Sequence, residues 1–111
     1  MDQKSKVYWT PIAEYDLDEI KNYISLNSPR NAEIISQKII KKIELLKIFP
    51  SQGRIISELE KYGITEYREL IEQRWRIMYM TDNNEVYIIA IWDSSRNIEE
   101  LIIQRLNNMN Q

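Results

Sequence analysis

The sequence predicts an α+β fold: an N-terminal strand, a two-helix antiparallel hairpin packed on a small antiparallel β-sheet, and a short C-terminal helix. Apolar residues recur at helical spacing before Pro50 and at strand spacing after Glu66. Two proline-bearing start signals, Thr10-Pro11 and Ser28-Pro29, open the helical half. In the second half, β-rich runs are separated by turn residues short enough for a meander.

Each element has a local cause. Val7-Tyr8-Trp9 is β-branched and aromatic, which suits a strand, and Thr10-Pro11 then caps a helix. Ala13, Leu17, Ile20 and Ile24 form one stripe of that helix, with Glu14 and Asp16 in its first turns where the helix dipole favours anions. After Asn27-Ser28-Pro29, a second helix of about 18 to 20 residues carries Ala32, Ile35, Ile39, Ile43 and Leu46 on one face. The short link folds the pair into a hairpin. Phe49-Pro50-Ser51-Gln52-Gly53 ends the helix, because proline cannot continue it. Strands are predicted at Glu66 to Ile71, Trp75 to Thr81 and Glu85 to Asp93. Ser94 to Asn97 then offers caps for a helix bearing Ile98, Leu101, Ile102, Leu106 and Met109.

Composition narrows the function. The chain of 111 residues has the length of one domain, read as 1–111, and carries no internal repeat. It has no histidine and no cysteine, which removes the usual neutral-pH base, thiolate metal sites, disulfides and the familiar serine or cysteine triads. No cofactor or metal is expected. No apolar run reaches the roughly 20 residues of a membrane span, and Met1 to Lys6 is polar, so a soluble cytoplasmic protein is expected. A net charge of −2 argues against holding nucleic acid by bulk positive charge or binding DNA sequence directly. Arg30, Lys38, Lys41, Lys42 and Lys47 nevertheless make the second helix basic, while Glu14, Asp16, Asp18 and Glu19 make the first acidic. This reads as two solvated helix faces attracting each other.

Arginines inside the strands are the least ordinary feature. With period two, Trp75, Ile77 and Tyr79 share one face and Arg74, Arg76, Met78 and Met80 the other. On the last strand Val86, Ile88, Ala90 and Trp92 alternate with Tyr87, Ile89 and Ile91, so both faces are apolar. One hairpin covers one face, which leaves apolar surface on the second that a monomer would expose and that something beyond the chain is expected to cover.

The order Val7-Tyr8-Trp9-Thr10, Ala13, Leu17, Ile20, Tyr23, Ala32, Leu46, Phe49-Pro50, Gly53-Arg54, Arg68-Glu69-Leu70, Trp75-Arg76-Ile77-Met78-Tyr79, and Asp93 with Arg96 resembles the RelE/ParE toxin superfamily. The resemblance runs from about residue 6 to residue 106. It implies the toxin of a type II toxin–antitoxin pair, wrapped by a cognate antitoxin that would cover apolar surface. It also implies one of two targets: the ribosome, for nucleases that cut messenger RNA, or DNA gyrase, for the ParE-like branch.

RNA cleavage needs a base, an acid and a cationic clamp. The resemblance makes Arg76 a phosphate contact; the residues alone equally allow an ion pair with Glu69 or Glu72. Arg68 and Arg96 would complete a nuclease's catalytic set, while Arg54, Arg74, Met78 and Asp93 are candidates for contact with a partner or target. Asp93 stands where many relatives have histidine, and no C-terminal histidine or terminal tyrosine is present. Tyr79 and Tyr87 would need strong tuning to act as bases. The expected function is therefore a ParE-like toxin that binds gyrase; the alternatives are a ribosome-dependent endonuclease and an inactive module that only binds antitoxin.

Overall fold

A computed structural model describes residues 4–109. The polar lead that begins at Met1 and the last two residues of the expected domain fall partly or wholly outside that span. The element order is β1 (Lys6–Trp9), α1 (Pro11–Ser25), α2 (Pro29–Glu44), a 3-10 turn (Leu45–Lys47), β2 (Arg54–Ile55), α3 (Ser57–Glu60), β3 (Tyr67–Glu72), β4 (Trp75–Asp82), β5 (Glu85–Asp93) and α4 (Ile98–Met109).

Both predicted caps are formed. The Thr10 side chain accepts from the Ala13 amide at 3.2 Å and donates to the Ile88 carbonyl at 2.8 Å, so the start of α1 is tied to β5. Ser28 accepts from the Asn31 amide at 3.1 Å. Gln73 and Asn83 adopt φ of 56°, the left-handed backbone that tight hairpin turns demand.

The five strands lie in the order β1-β5-β4-β3-β2. The sheet is mixed rather than antiparallel throughout, because β1 runs parallel to β5 with Lys6 opposite Glu85. The connection that a parallel pair requires is supplied by the helical hairpin together with the strands β2 to β4 that follow it. The edge strand β2 and the short α3 were not predicted; they occupy the segment after Gly53.

Two apolar layers sandwich the sheet. On the first, Ala13 and Leu17 of α1 and Ile39 and Ile43 of α2 pack on Leu70, Trp75, Ile77, Tyr79, Val86, Ile88 and Ile91. On the second, Ile56 and Leu59 join Ile98 and Ile102 of α4 over Met78, Ile89, Ala90 and Trp92. The expectation that something beyond the chain covers the second face is thus corrected: α3 and α4 cover its centre themselves. A second correction concerns β5. Met78 faces Ala90 but Tyr79 faces Ile88, leaving Ile89 as the extra residue of a bulge. The bulge inverts the alternation, so Ala90 and Trp92 lie with Ile89 in the second layer and Ile91 joins Val86 and Ile88 in the first.

No helix among the described residues is long and apolar enough to cross a membrane.

Candidate functional site

The β3–β4 register places Glu69 opposite Met78 and Arg76 opposite Ile71, so both charged side chains point to the second face. A buried arginine there must find carboxylates. Arg76, 8% exposed, donates from Nε to Glu69 Oε1 at 2.6 Å, and from its two terminal nitrogens to Glu58 of α3 at 2.9 and 2.7 Å. The other Glu69 oxygen accepts Arg54 Nε at 2.8 Å. The bidentate bond from Arg76 holds the Glu58 carboxyl down at about 2, well below its ordinary range. The same bonds, Glu58 first, raise the Arg76 pKa and keep the guanidinium charged. Of the two partners weighed from sequence, Glu69 is bound; Glu58, a further partner, was not foreseen.

Beside this network the turn before β2 is packed against Tyr79. The Gly53 amide donates to the Tyr79 hydroxyl at 2.9 Å, and that hydroxyl donates to the Pro50 carbonyl at 2.9 Å. Arg68 donates to the Gly53 carbonyl at 2.8 Å. Gly53 admits no side chain, since a Cβ would stand 2.5 Å from the Tyr79 hydroxyl and 2.7 Å from the Glu69 carbonyl oxygen. Burial raises the Tyr79 pKa, opposed by the Gly53 hydrogen bond and by the Arg68 charge. Tyr87 is pushed up to about 12 by its hydrogen bond to Glu85. Neither tyrosine is tuned downward toward a base at neutral pH.

Arg54 and Arg76 therefore meet at Glu69, Arg68 reaches Gly53 from the other face of β3, and a second group lies around Asp93. Arg74 binds the Asp93 carboxylate and stands 5.3 Å over the Trp75 ring. Its hydrogen bond holds the Asp93 pKa below the usual carboxylate range, and the Ser95 amide adds a bond at 3.0 Å. Arg96 is exposed on the turn after β5, and its amide donates to the Asp93 carbonyl at 3.1 Å. Among the described residues no ion pair or hydrogen bond joins the Arg76 group to the Asp93 group. Met78, 1% exposed, belongs to the second apolar layer.

The Asp93 group opens onto a cleft of about 470 Å³ between α1 and α4, lined by Tyr15, Tyr23, Trp75, Arg96 and others. Its floor holds the third ionic feature. Arg105 of α4 donates two bonds to Asp16 of α1 at 2.9 and 3.1 Å and one to the Ile89 carbonyl at 2.8 Å, while Asp16 accepts the Ile91 amide at 3.0 Å. The pair thus satisfies backbone groups beside the bulge, and Arg105 also lies 5.1 Å over the Trp92 ring. Sequence reasoning missed this pair because Asp16 read as one more helix-dipole anion. Among the described residues no group of three acidic side chains is placed to hold a metal ion.

Solved structures with a similar fold include the following two. A chain in the chromosomal ParDE toxin–antitoxin system from P. aeruginosa is similar with 23% identity, 83% of this chain and 98% of that one covered, and a TM-score of 0.66. A chain in the RelBE2 toxin–antitoxin complex from Mycobacterium tuberculosis is similar with 16% identity, 84% and 94% coverage, and a TM-score of 0.55. The fold is the one these two chains share. Residues 7–98 match the family model of the ParE toxin of the type II toxin–antitoxin system parDE, and the chain belongs to that family. No curated protein sequence matches it significantly. Almost all of α4, with Arg105, lies beyond the matched span.

Proposed function

We propose that the chain is a single-domain ParE-like toxin that acts in the cytoplasm by binding DNA gyrase and is neutralised by a cognate antitoxin. The commitment of Arg76 to Glu58 and Glu69 carries this reading. Its guanidinium spends three donors on carboxylates, and a phosphate would have to displace anions already bidentate and partly desolvated. The raised tyrosines and the lack of histidine support the same choice, because a nuclease needs groups that exchange protons near neutral pH. Arg54, Arg74 and Arg96 are exposed, the first two each in an ion pair at the surface, where a partner could meet them. On this reading their contribution is recognition.

The experiment measures supercoiling by gyrase and message cleavage on programmed ribosomes with the same protein. Loss of supercoiling with intact message is expected. Ribosome-dependent cuts would overturn the proposal and return Arg68, Arg76 and Arg96 to a nuclease role. Expression alone, and then with the neighbouring open reading frame, tests neutralisation; harmless accumulation of folded protein would leave only an inactive, antitoxin-binding module.

A further inference from the structure

The cleft between α1 and α4 carries more chemistry than the ion pairs that frame it. Its volume of about 470 Å³ lies within the range of small-molecule sites, roughly 300 to 1,000 Å³. Trp75 and Trp92 are buried in its wall, whereas Tyr15 and Tyr23 line it while 57% and 72% exposed. Most of its charges are matched. Asp16 is held by Arg105 and Asp93 by Arg74, and each carboxylate also accepts a backbone amide.

Three groups in the cleft remain uncommitted. Among the described residues the Arg96 side chain has no hydrogen bond or ion pair. Glu19 forms no ion pair there either; it acts on Tyr15, whose pKa its charge and hydrogen bond raise. The third is the indole N–H of Trp75, a side chain 5% exposed, which is buried without an acceptor and is costly to leave so. Trp75 faces Asp93 across the β4–β5 ladder, and the Arg96 amide donates to the Asp93 carbonyl, so both donors belong to the sheet end of the cleft. Glu19 lies on the α1 wall, one helical turn from Tyr15 and one from Tyr23.

We infer that the cleft is a binding site for a small zwitterion, a free α-amino acid with a large apolar side chain. Its carboxylate meets Arg96 and the Trp75 N–H, its ammonium meets Glu19 and the tyrosine faces, and its side chain lies along the aromatic wall. The pattern of signs selects this class. A plain anion drawn to Arg96 is repelled by Glu19, and a plain cation drawn to Glu19 is repelled by Arg96, whereas a zwitterion satisfies both. Asp93, on the same wall as Arg96, is already neutralised by Arg74 and does not oppose the carboxylate. The aromatic rings supply the apolar contact that a ligand of this size needs. The inference rests on the cleft alone and is independent of which target the toxin acts on.

The test is equilibrium dialysis of the full chain against labelled L-phenylalanine, with tryptophan emission followed in parallel, since Trp75 and Trp92 line the cleft. Phenethylamine, which lacks the carboxylate, and 3-phenylpropionate, which lacks the ammonium, serve as competitors. L-Phenylalanine is expected to reach half-occupancy at about 1 mM or below, and each competitor to bind about tenfold more weakly. The R96Q variant should lose the preference over phenethylamine, and E19Q the preference over 3-phenylpropionate. Both positions are exposed, so both variants should fold, which circular dichroism checks. No binding by dialysis at about 10 mM, equal binding of the three compounds, or a preference that survives its substitution would each overturn the inference.

Discussion

Arg76 shows how one residue's role is decided by its neighbours. Breaking a buried ion pair from one side leaves a desolvated charge, and the Glu69 side chain is 2% exposed. Arg76→Ala is therefore expected to cost about 3 kcal/mol or more in urea denaturation, even though Arg54 still contacts Glu69. A loss within about 1 kcal/mol would mean that the pair is replaceable and Arg76 is free for other work. Glu58 reports the same network through pH. Its folded pKa of about 2 lies below the ordinary 4.5, so the stabilisation it brings is present above pH 4.5 and fades as pH falls toward 2. Glu58→Gln should flatten that acid limb, measured as melting temperature against pH. Gly53→Ala forces a methyl onto Tyr79 and should cost about 1 to 3 kcal/mol, readable from the same denaturation curves.

Among the elements, α4 is held by the Asp16–Arg105 pair as well as by apolar contact. The pair is partly buried and also serves the Ile89 carbonyl and the Ile91 amide. Arg105→Ala should lower stability by about 2 to 3 kcal/mol and raise amide exchange in α4 ahead of the sheet. Arg105→Lys should rescue little, because an ammonium cannot reproduce the fork on Asp16. This contact spans residues 16 and 105, and no local pattern announces it. The helices were legible because caps and periodicity are local signals, and Thr10, Ser28 and the Ala13 and Ile39 stripes say where each begins and which side it buries. The bulge was not legible, since every residue of β5 from Val86 to Trp92 is apolar and period two fits either phase. Nor was β2, as a strand of two residues has no period to read. Arg76 was legible as an anomaly, whereas its partner Glu58 sits on a helix of four residues with no stripe of its own.

The whole molecule depends on having two covers for one sheet. A chain ending before Ile98 would bare Met78, Ile89, Ala90 and Trp92, and it is expected to bind a hydrophobic dye and lose cooperative melting. Retention of a sharp transition would mean that the first layer suffices alone. The position of β1 has a temporal consequence. Because Lys6 pairs with Glu85, the first strand to leave the ribosome finds its place only after nearly all the others have been made. Helices α1 and α2 can associate early, whereas closing the sheet must bring distant parts of the chain together, a step whose cost grows with the loop it seals. Synthesis at roughly 5 to 20 residues per second leaves several seconds in which β1 waits unpaired. The order of strands in space thus sets a clock, and this protein becomes complete late and all at once.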